Sequence, residues 1–317
     1  MVRTDARPDH VDSPNGLSSG RSGIRERRSV TEANSLETTS PARAQDALLG
    51  SGHGVFSLAI IALGVETLVC ARSVCDAPPF SLQYKVIPVI PWLPAIPSLA
   101  YIFGAILVAL GAGLLFKRTV RTAALVLGSL LFLCTLILDV PKNIANIGNM
   151  SLRTSVFEPL AIASIAWLLP GQGITPSWLA YASRYLLGLS LIVFGVDHLI
   201  ALAPIATLIP TWIPWHVFWI AFFGAGFIAA GLSICLNILQ RWAAACVGLM
   251  YAIWVFTLHL PRVLGLYGIP GATHNPNEWS SLFIAIALWG GSWALASNAQ
   301  DILGPRSVKN DASFTSS

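Results

Sequence analysis

Long apolar segments, separated by short polar joints, follow one another along most of the chain. Most of these segments are near the ~20 residues that an α-helix needs to cross the hydrocarbon core of a bilayer. Eight of them lie at approximately residues 47–71, 98–116, 120–140, 154–170, 178–203, 215–239, 241–260 and 279–297. The pattern predicts an all-α, polytopic membrane protein with eight transmembrane helices.

The two ends of the chain have a different character. Residues 1–46 are rich in Ser, Arg, Gly, Thr and Pro and hold almost no large apolar residues, so they cannot bury enough surface to fold alone. We expect them to form a disordered tail, and residues 299–317 to form a short polar C-terminal tail. No apolar core closely follows the first basic residues, as it would in a signal peptide.

Composition supports the membrane assignment and limits the partners. Charged residues make up 11% of the 317-residue chain, whereas a soluble protein carries about 25%. The net charge of +4 is small and the N-terminal tail is neutral overall, so we expect the lipid bilayer, and no nucleic acid, as a partner. Lys and Arg are slightly more frequent in the joints on the side of the N-terminus, which predicts that both termini are cytoplasmic.

The two halves of the apolar region resemble each other. Trp92-Leu93-Pro94 recurs 120 residues later as Trp212-Ile213-Pro214. The same offset joins Phe103 to Phe223, Gly111 to Gly231, Gly128 to Gly248, Pro141 to Pro261, Lys142 to Arg262 and Glu158 to Glu278, and an offset of 131 joins Glu66 to Asp197. We therefore predict two tandem four-helix units, at residues 47–171 and 172–298. An even number of helices per unit makes them parallel repeats, with one orientation in the membrane.

Ionisable residues of the second half gather at one end of the predicted helices. Asp197 and His198 lie side by side in an apolar run, where ionisable groups are costly and usually functional. Because successive helices alternate in direction, the same end receives His216, His259, Arg262 and Glu278. We predict that these six residues bind a ligand or relay protons. Their first-half counterparts, Glu66, Asp139, Lys142 and Glu158, are predicted to be structural.

The chemistry of this cluster admits three interpretations. Imidazole and carboxylate groups ligate zinc, copper or iron, but no short ligand spacing such as HxxxH is present, so we predict no metal site. The same groups could hydrogen-bond the carbonyls of a quinone and relay its protons, because imidazole titrates near neutral pH. In the structural interpretation, Asp197 and Glu66 pair with Arg262 and Lys142 and tie helix ends together.

Two further features are expected to shape the same end of the molecule. Pro141 and Pro261 are predicted to kink or end the third helix of each unit. Cys70 and Cys75 lie at and just beyond the end of the first helix, where an oxidising compartment would permit a disulfide.

The residues of the second half resemble the DoxX-like family of small bacterial integral membrane proteins. The resemblance lies in Ser183-Arg184-Tyr185-Leu186-Leu187-Gly188, Gly195-Val196-Asp197-His198, Arg241-Trp242-Ala243-Ala244 and His259-Leu260-Pro261, with a looser match in the first half. It implies a four-helix bundle, here duplicated, in the bacterial inner membrane. Some relatives are linked to quinone-coupled sulfur oxidation or to membrane complexes that handle oxidative stress.

These observations give one leading hypothesis and two alternatives. The leading hypothesis is a quinone-linked redox protein, or the membrane subunit of a redox complex, with a quinone as cofactor and other membrane or redox subunits as partners. The alternatives are a small-solute transporter with a path between the two halves, and a non-enzymatic membrane scaffold.

Overall fold

A computed structural model describes residues 51–73, 97–146, 148–171, 175–268 and 276–303, and all its regular elements in these ranges are helices. The helices are α1 (Gly52–Ser73), α2 (Pro97–Leu114), α3 (Val120–Ala145), α4 (Met150–Leu168), α5 (Ser177–Ile200), the short α6 (Leu202–Ala206), α7 (His216–Leu236), α8 (Gln240–Val263) and α9 (Pro276–Leu303). The all-α prediction is confirmed for this part of the chain. We call α1–α4 the first half and α5–α9 the second half.

Six of the described helices are long and apolar enough to cross a membrane, namely α1, α3, α5, α7, α8 and α9. The apolar part of α2, Leu99–Leu114, is shorter than a full span, and α4 carries Arg153 and Glu158 in its first half. The chain therefore has the helices of a multi-pass membrane protein. The predicted tail at 1–46 lies outside the described residues, and α9 continues to Leu303, past the predicted boundary at 298.

The helices contact one another in a closed circuit. Going around it, α1 packs against α2, α2 against α3, α3 against α4, α4 against α5, α5 against α7, α7 against α8, α8 against α9, and α9 against α1. The fourth long helix of each half, α4 or α9, thus packs against the first helix of the other half. These two helices also contact each other. Each long helix of the first half therefore has neighbours equivalent to those of its counterpart in the second half, with α1 corresponding to α5, α2 to α7, α3 to α8 and α4 to α9.

Glycines allow the first two long helices of each half, α1 with α2 and α5 with α7, to approach closely. A Cβ added to Gly195 in α5 would lie 2.5 Å from the carbonyl oxygen of Gly224 in α7. A Cβ added to Gly64 in α1 would lie 2.8 Å from the carbonyl oxygen of Gly104 in α2. Small residues at such crossings let van der Waals packing hold helices together in lipid, where there is no hydrophobic drive for association.

Tryptophans fix the position of the fourth helix in each half. The Trp167 indole lies over Gly128 and donates to the Leu125 carbonyl oxygen at 3.4 Å. The Trp293 indole lies over Gly248 and donates to the Ala245 carbonyl oxygen at 3.3 Å. The α3 and α8 positions in these pairs differ by 120 residues, whereas the tryptophans differ by 126.

The register of α4 against α9 therefore differs from the sequence match. That match placed Glu158 on Glu278, 120 residues away, but the tryptophan pairs give α4 and α9 an offset of 126 residues. The position equivalent to Glu158 is then Ile284. The reason is a connection between α8 and α9 that is longer than the one between α3 and α4.

A π-helical turn widens the third helix of each half just before its proline. These turns are Thr135–Asp139 and Val255–His259, again 120 residues apart. Proline has no backbone N–H and crowds the carbonyl one turn earlier. The carbonyl oxygen that Pro261 would leave without a donor, on Thr257, accepts a hydrogen bond from the Tyr267 hydroxyl at 2.5 Å. Helices α3 and α8 accordingly continue through Pro141 and Pro261 to Ala145 and Val263.

The glycine crossing predicts the effect of adding one methyl group. Gly195→Ala should lower the melting temperature of the protein in detergent, because its Cβ must push α5 away from α7. Gly54→Ala is a matched control, since a Cβ at this helical glycine has nothing within 4 Å. Equal melting temperatures for the two variants would show that the close approach does not contribute to stability.

Candidate functional site

A cavity of about 250 Å³ lies between α4, α5, α7, α8 and α9, next to the short helix α6. Most of its lining is apolar, and four aromatic side chains contribute to it. The lining residues are Met150, Thr154, Glu158, Phe194, Asp197, His198, Ile205, Leu208, Phe227, Tyr251, Trp254, Leu258, His259, Ser281, Ile284, Ala285 and Leu288. Apolar walls with a few polar groups are typical of small-molecule sites. We refer to this space as the cavity.

Three of the six residues predicted to form the site line this cavity. Asp197 and His198 come from the C-terminal end of α5, and His259 ends the π-helical turn of α8. Turns of this kind are frequent at functional sites, because the extra residue re-aims the side chains that follow. The structure thus brings together side chains that are more than 60 residues apart in sequence.

Asp197 forms an ion pair that joins the two halves. The Arg153 guanidinium, from α4, donates to Asp197 Oδ1 through Nε at 2.9 Å and through Nη2 at 2.6 Å. Asp197 is only 4% exposed, and its other oxygen, Oδ2, has no hydrogen-bond partner in the described part of the chain. A buried polar atom of this kind requires an explanation, and a ligand group beside it would be one.

The environment of His198 fixes its tautomer. Its Nδ1 lies 2.7 Å from the carbonyl oxygen of Phe194, which can only accept a hydrogen bond, so Nδ1 carries the proton. In the neutral ring, Nε2 is then an acceptor, and among the described residues nothing donates to it. The imidazole packs against the rings of Phe227 and Trp254, at centroid distances of 5.5 and 6.3 Å.

The other three predicted residues do not line the cavity. His216 Nε2 lies 3.1 Å from the Pro210 carbonyl oxygen, at the start of α7. Arg262 donates to both oxygens of Glu278, at 2.8 and 2.5 Å, and so joins α8 to α9. The pairing expected between Asp197 and Arg262 is therefore wrong, because each has a different partner. For Arg262 and Glu278 the structure shows helix-end pairing.

Glu158 has a position that the sequence did not indicate. It was predicted to be a structural counterpart, yet it lines the cavity from α4. Arg153 was not predicted as a site residue, since it stood out only as a charge in a joint between helices. The positions of two tryptophans could have indicated both residues. Trp167 and Trp293 are 126 residues apart, six more than the offset between α3 and α8, and this difference shifts the register of α4 relative to α9.

The remaining predicted residues belong to the first half. Glu66 accepts a hydrogen bond from Ser280 of α9 at 2.6 Å, so this acid, like Asp197, bonds to the fourth helix of the other half. Asp139 is buried at the end of its π-helical turn, at the position of His259. Cys75 and the side chains of Cys70 and Lys142 lie outside the described part of the structure. In that part, no three His, Cys, Asp or Glu side chains are grouped so as to hold a metal ion.

A much smaller space in the first half corresponds to the cavity. It measures about 20 Å³, and we call it the void. Its lining residues are Ile60, Leu63, Leu107, Leu131, Pro159, Ile162 and Ile284. By the offsets above, Leu63, Leu107 and Leu131 are equivalent to Phe194, Phe227 and Tyr251. Thr67 is equivalent to His198, and its hydroxyl donates to the Leu63 carbonyl oxygen at 2.7 Å, as His198 Nδ1 does to the Phe194 carbonyl oxygen. Thr67 has no second polar atom that corresponds to His198 Nε2.

The two spaces show that the halves have diverged in chemistry. At four equivalent positions the void has an aliphatic residue where the cavity has an aromatic or acidic one: Leu63 for Phe194, Leu107 for Phe227, Leu131 for Tyr251 and Ile284 for Glu158. Aliphatic side chains leave only about 20 Å³ in the void. Of these two spaces, it is the cavity that has the groups to recognise a polar aromatic molecule.

The ion pair between α4 and α5 predicts a strong dependence of stability on its partners. Asp197→Leu should destabilise the protein by about 3 kcal/mol, because it leaves the Arg153 charge largely buried without its carboxylate. The double variant Arg153→Met with Asp197→Leu should recover most of this loss. Chemical unfolding in detergent measures both. A single variant as stable as the wild type would show that the pair does not hold the halves together.

Comparisons with known proteins do not assign this chain to a family. No family model matches it, and no curated protein and no solved structure matches it. The site is therefore interpreted from its own residues and geometry.

Proposed function

We propose that the protein consists of two fused four-helix units of the DoxX-like type, with eight membrane-spanning helices in two parallel repeats. Three observations support this arrangement: the exchangeable set of helix neighbours, the π-helical turns 120 residues apart, and the repeated tryptophan–glycine pairs. In this arrangement α2 and α4 also cross the bilayer, and α4 does so in contact with α5 and α9. Both termini then lie in the cytoplasm of a bacterial cell, and the cavity opens near the outer face of its inner membrane.

We further propose that the cavity binds the head group of a quinone, as part of a quinone-linked redox protein or the membrane subunit of a redox complex. The observation that carries this proposal is the combination of aromatic walls with hydrogen-bonding groups of both kinds in one membrane-embedded space. His198 Nε2 and Asp197 are acceptors for a hydroxyl group. The Tyr251 hydroxyl and the Trp254 indole N–H are donors for a carbonyl group.

The residues present fit such a group. A quinone head is a flat, largely apolar ring with oxygen atoms at its edge, so Phe194, Phe227 and Trp254 suit its faces and His198 suits its edge. Bound quinone would supply the exchange of electrons together with protons. The protein's part is to exclude water, hold the ring, and accept or return protons at His198 Nε2. Electrons would come from or go to another membrane or redox subunit.

Two alternatives have less support. A transporter needs polar groups along a path between the halves, but around the contact between α4 and α9 the buried side chains are mainly aliphatic, among them Ile162, Ile165, Ala287 and Leu288. A non-enzymatic scaffold is favoured by the pairing of Arg262 with Glu278. It does not explain why the second half keeps a cavity of about 250 Å³ when the corresponding void measures about 20 Å³.

Calorimetric titration of the purified protein in mild detergent with a short-chain ubiquinone tests the proposal. We expect saturable binding at one site per chain, weakened about tenfold in His198→Ala, since one hydrogen bond and a ring contact are lost. Thr67→Ala is the matched control, because it removes the equivalent side chain from the first half and should leave the affinity unchanged. Absence of binding to the wild type, or equal effects of the two variants, would contradict the proposal.

A further inference from the structure

An acidic residue of the first half lies in the wall of the second-half cavity. Glu158 belongs to α4, and α4 packs against α5, the first helix of the other half. The cavity is therefore completed by a carboxyl group from outside its own half. Thr154 and Met150, one and two turns earlier on the same helix, line the cavity as well.

The void shows what this position holds where there is no room for a ligand. At the offset of 126 residues the equivalent of Glu158 is Ile284, which lines the void together with aliphatic neighbours and also reaches the wall of the cavity from α9. Pro159, the next residue after Glu158, lines the void while Glu158 lines the cavity. The difference at this position, a carboxyl group against an alkyl group, thus coincides with the difference between an open and a filled space.

The two carboxyl groups of the cavity have different surroundings. Asp197 accepts two hydrogen bonds from Arg153, both at Oδ1. Glu158 lines the same cavity from α4. The cavity therefore has one carboxyl group from each of two neighbouring helices.

We infer that Glu158 is a ligand-contacting residue, a protonatable carboxyl group that the first half supplies to the head group bound in the second-half cavity. As a carboxylic acid it donates to a carbonyl oxygen of the oxidised head group. As a carboxylate it accepts from a hydroxyl group of the reduced one. This inference rests on the proposed quinone site and adds to it a residue that responds to the form of the ligand.

Two substitutions separate contact from proton exchange. Glu158→Ile copies the equivalent residue of the void, and we expect it to weaken binding of both the short-chain ubiquinone and its quinol about tenfold, because the hydrogen bond is lost. Glu158→Gln keeps the shape and a hydrogen-bonding group, so its affinity for both forms should stay within about threefold of the wild type. Glu66→Gln, which removes the buried acid of α1, is the matched control with unchanged affinity.

Infrared difference spectroscopy supplies the second readout. Replacing bound quinone by quinol should change the carboxyl C=O stretch in the wild type and in Glu66→Gln, and this change should be absent in Glu158→Gln. Unchanged binding in Glu158→Ile would overturn the inference, as would a carboxyl band that persists in Glu158→Gln, which would assign proton exchange to Asp197. A wild-type protein that binds neither form would overturn the proposed function itself.

Discussion

The packing of each fourth helix against the first helix of the other half determines most of this structure. Because α4 lies on α5 and α9 lies on α1, neither half has its complete set of neighbours within itself. Buried polar contacts accompany both junctions: Arg153 bonds to Asp197 across one, and Ser280 bonds to Glu66 across the other. In a bilayer, where apolar surfaces gain little by meeting, such contacts and the close glycine crossings are what select one arrangement of helices.

This exchange of helices also explains how one of two similar units could acquire a site. Each of the two spaces is lined by five long helices, four from one half and one from the other. In the first half, aliphatic residues fill that space, which adds packing and hence stability. In the second half, aromatic and ionisable residues leave about 250 Å³ open, at the cost of less complete packing.

Much of the fold follows from the sequence, and the part that does not has a physical cause. Segment length and apolar composition suffice to predict long helices, and the similarity of Trp92-Leu93-Pro94 to Trp212-Ile213-Pro214 led to the prediction of two repeats. The register of α4 against α9 could not be predicted, because apolar helices offer few residues to align and the connecting segments differ in length. For that reason Glu158 was matched to Glu278, and its place in the cavity wall was missed.

The site shows the same limit. Asp197, His198 and His259 stand out in the sequence because ionisable residues in apolar runs are rare, and the structure places all three on one cavity. His216 and Arg262 look equally conspicuous, but they bond to the Pro210 carbonyl and to Glu278. Which side chains bond to each other depends on the distances between helices, and the periodicity of the sequence gives no information about those distances. Aromatic wall residues such as Tyr251 and Trp254 are ordinary in a membrane helix, and only the cavity distinguishes them.

The central claim is that the two halves differ in function, with a ligand site in the second-half cavity and none in the first-half void. Photolabelling with an azido-substituted quinone, followed by mass spectrometry of the labelled peptides, tests this claim most directly. The account predicts label in α5 and α8 around His198 and Trp254, removed by excess unlabelled quinone. Label at Leu107 and Leu131 of the void with equal yield, or label spread over the lipid-facing helices without competition, would contradict it.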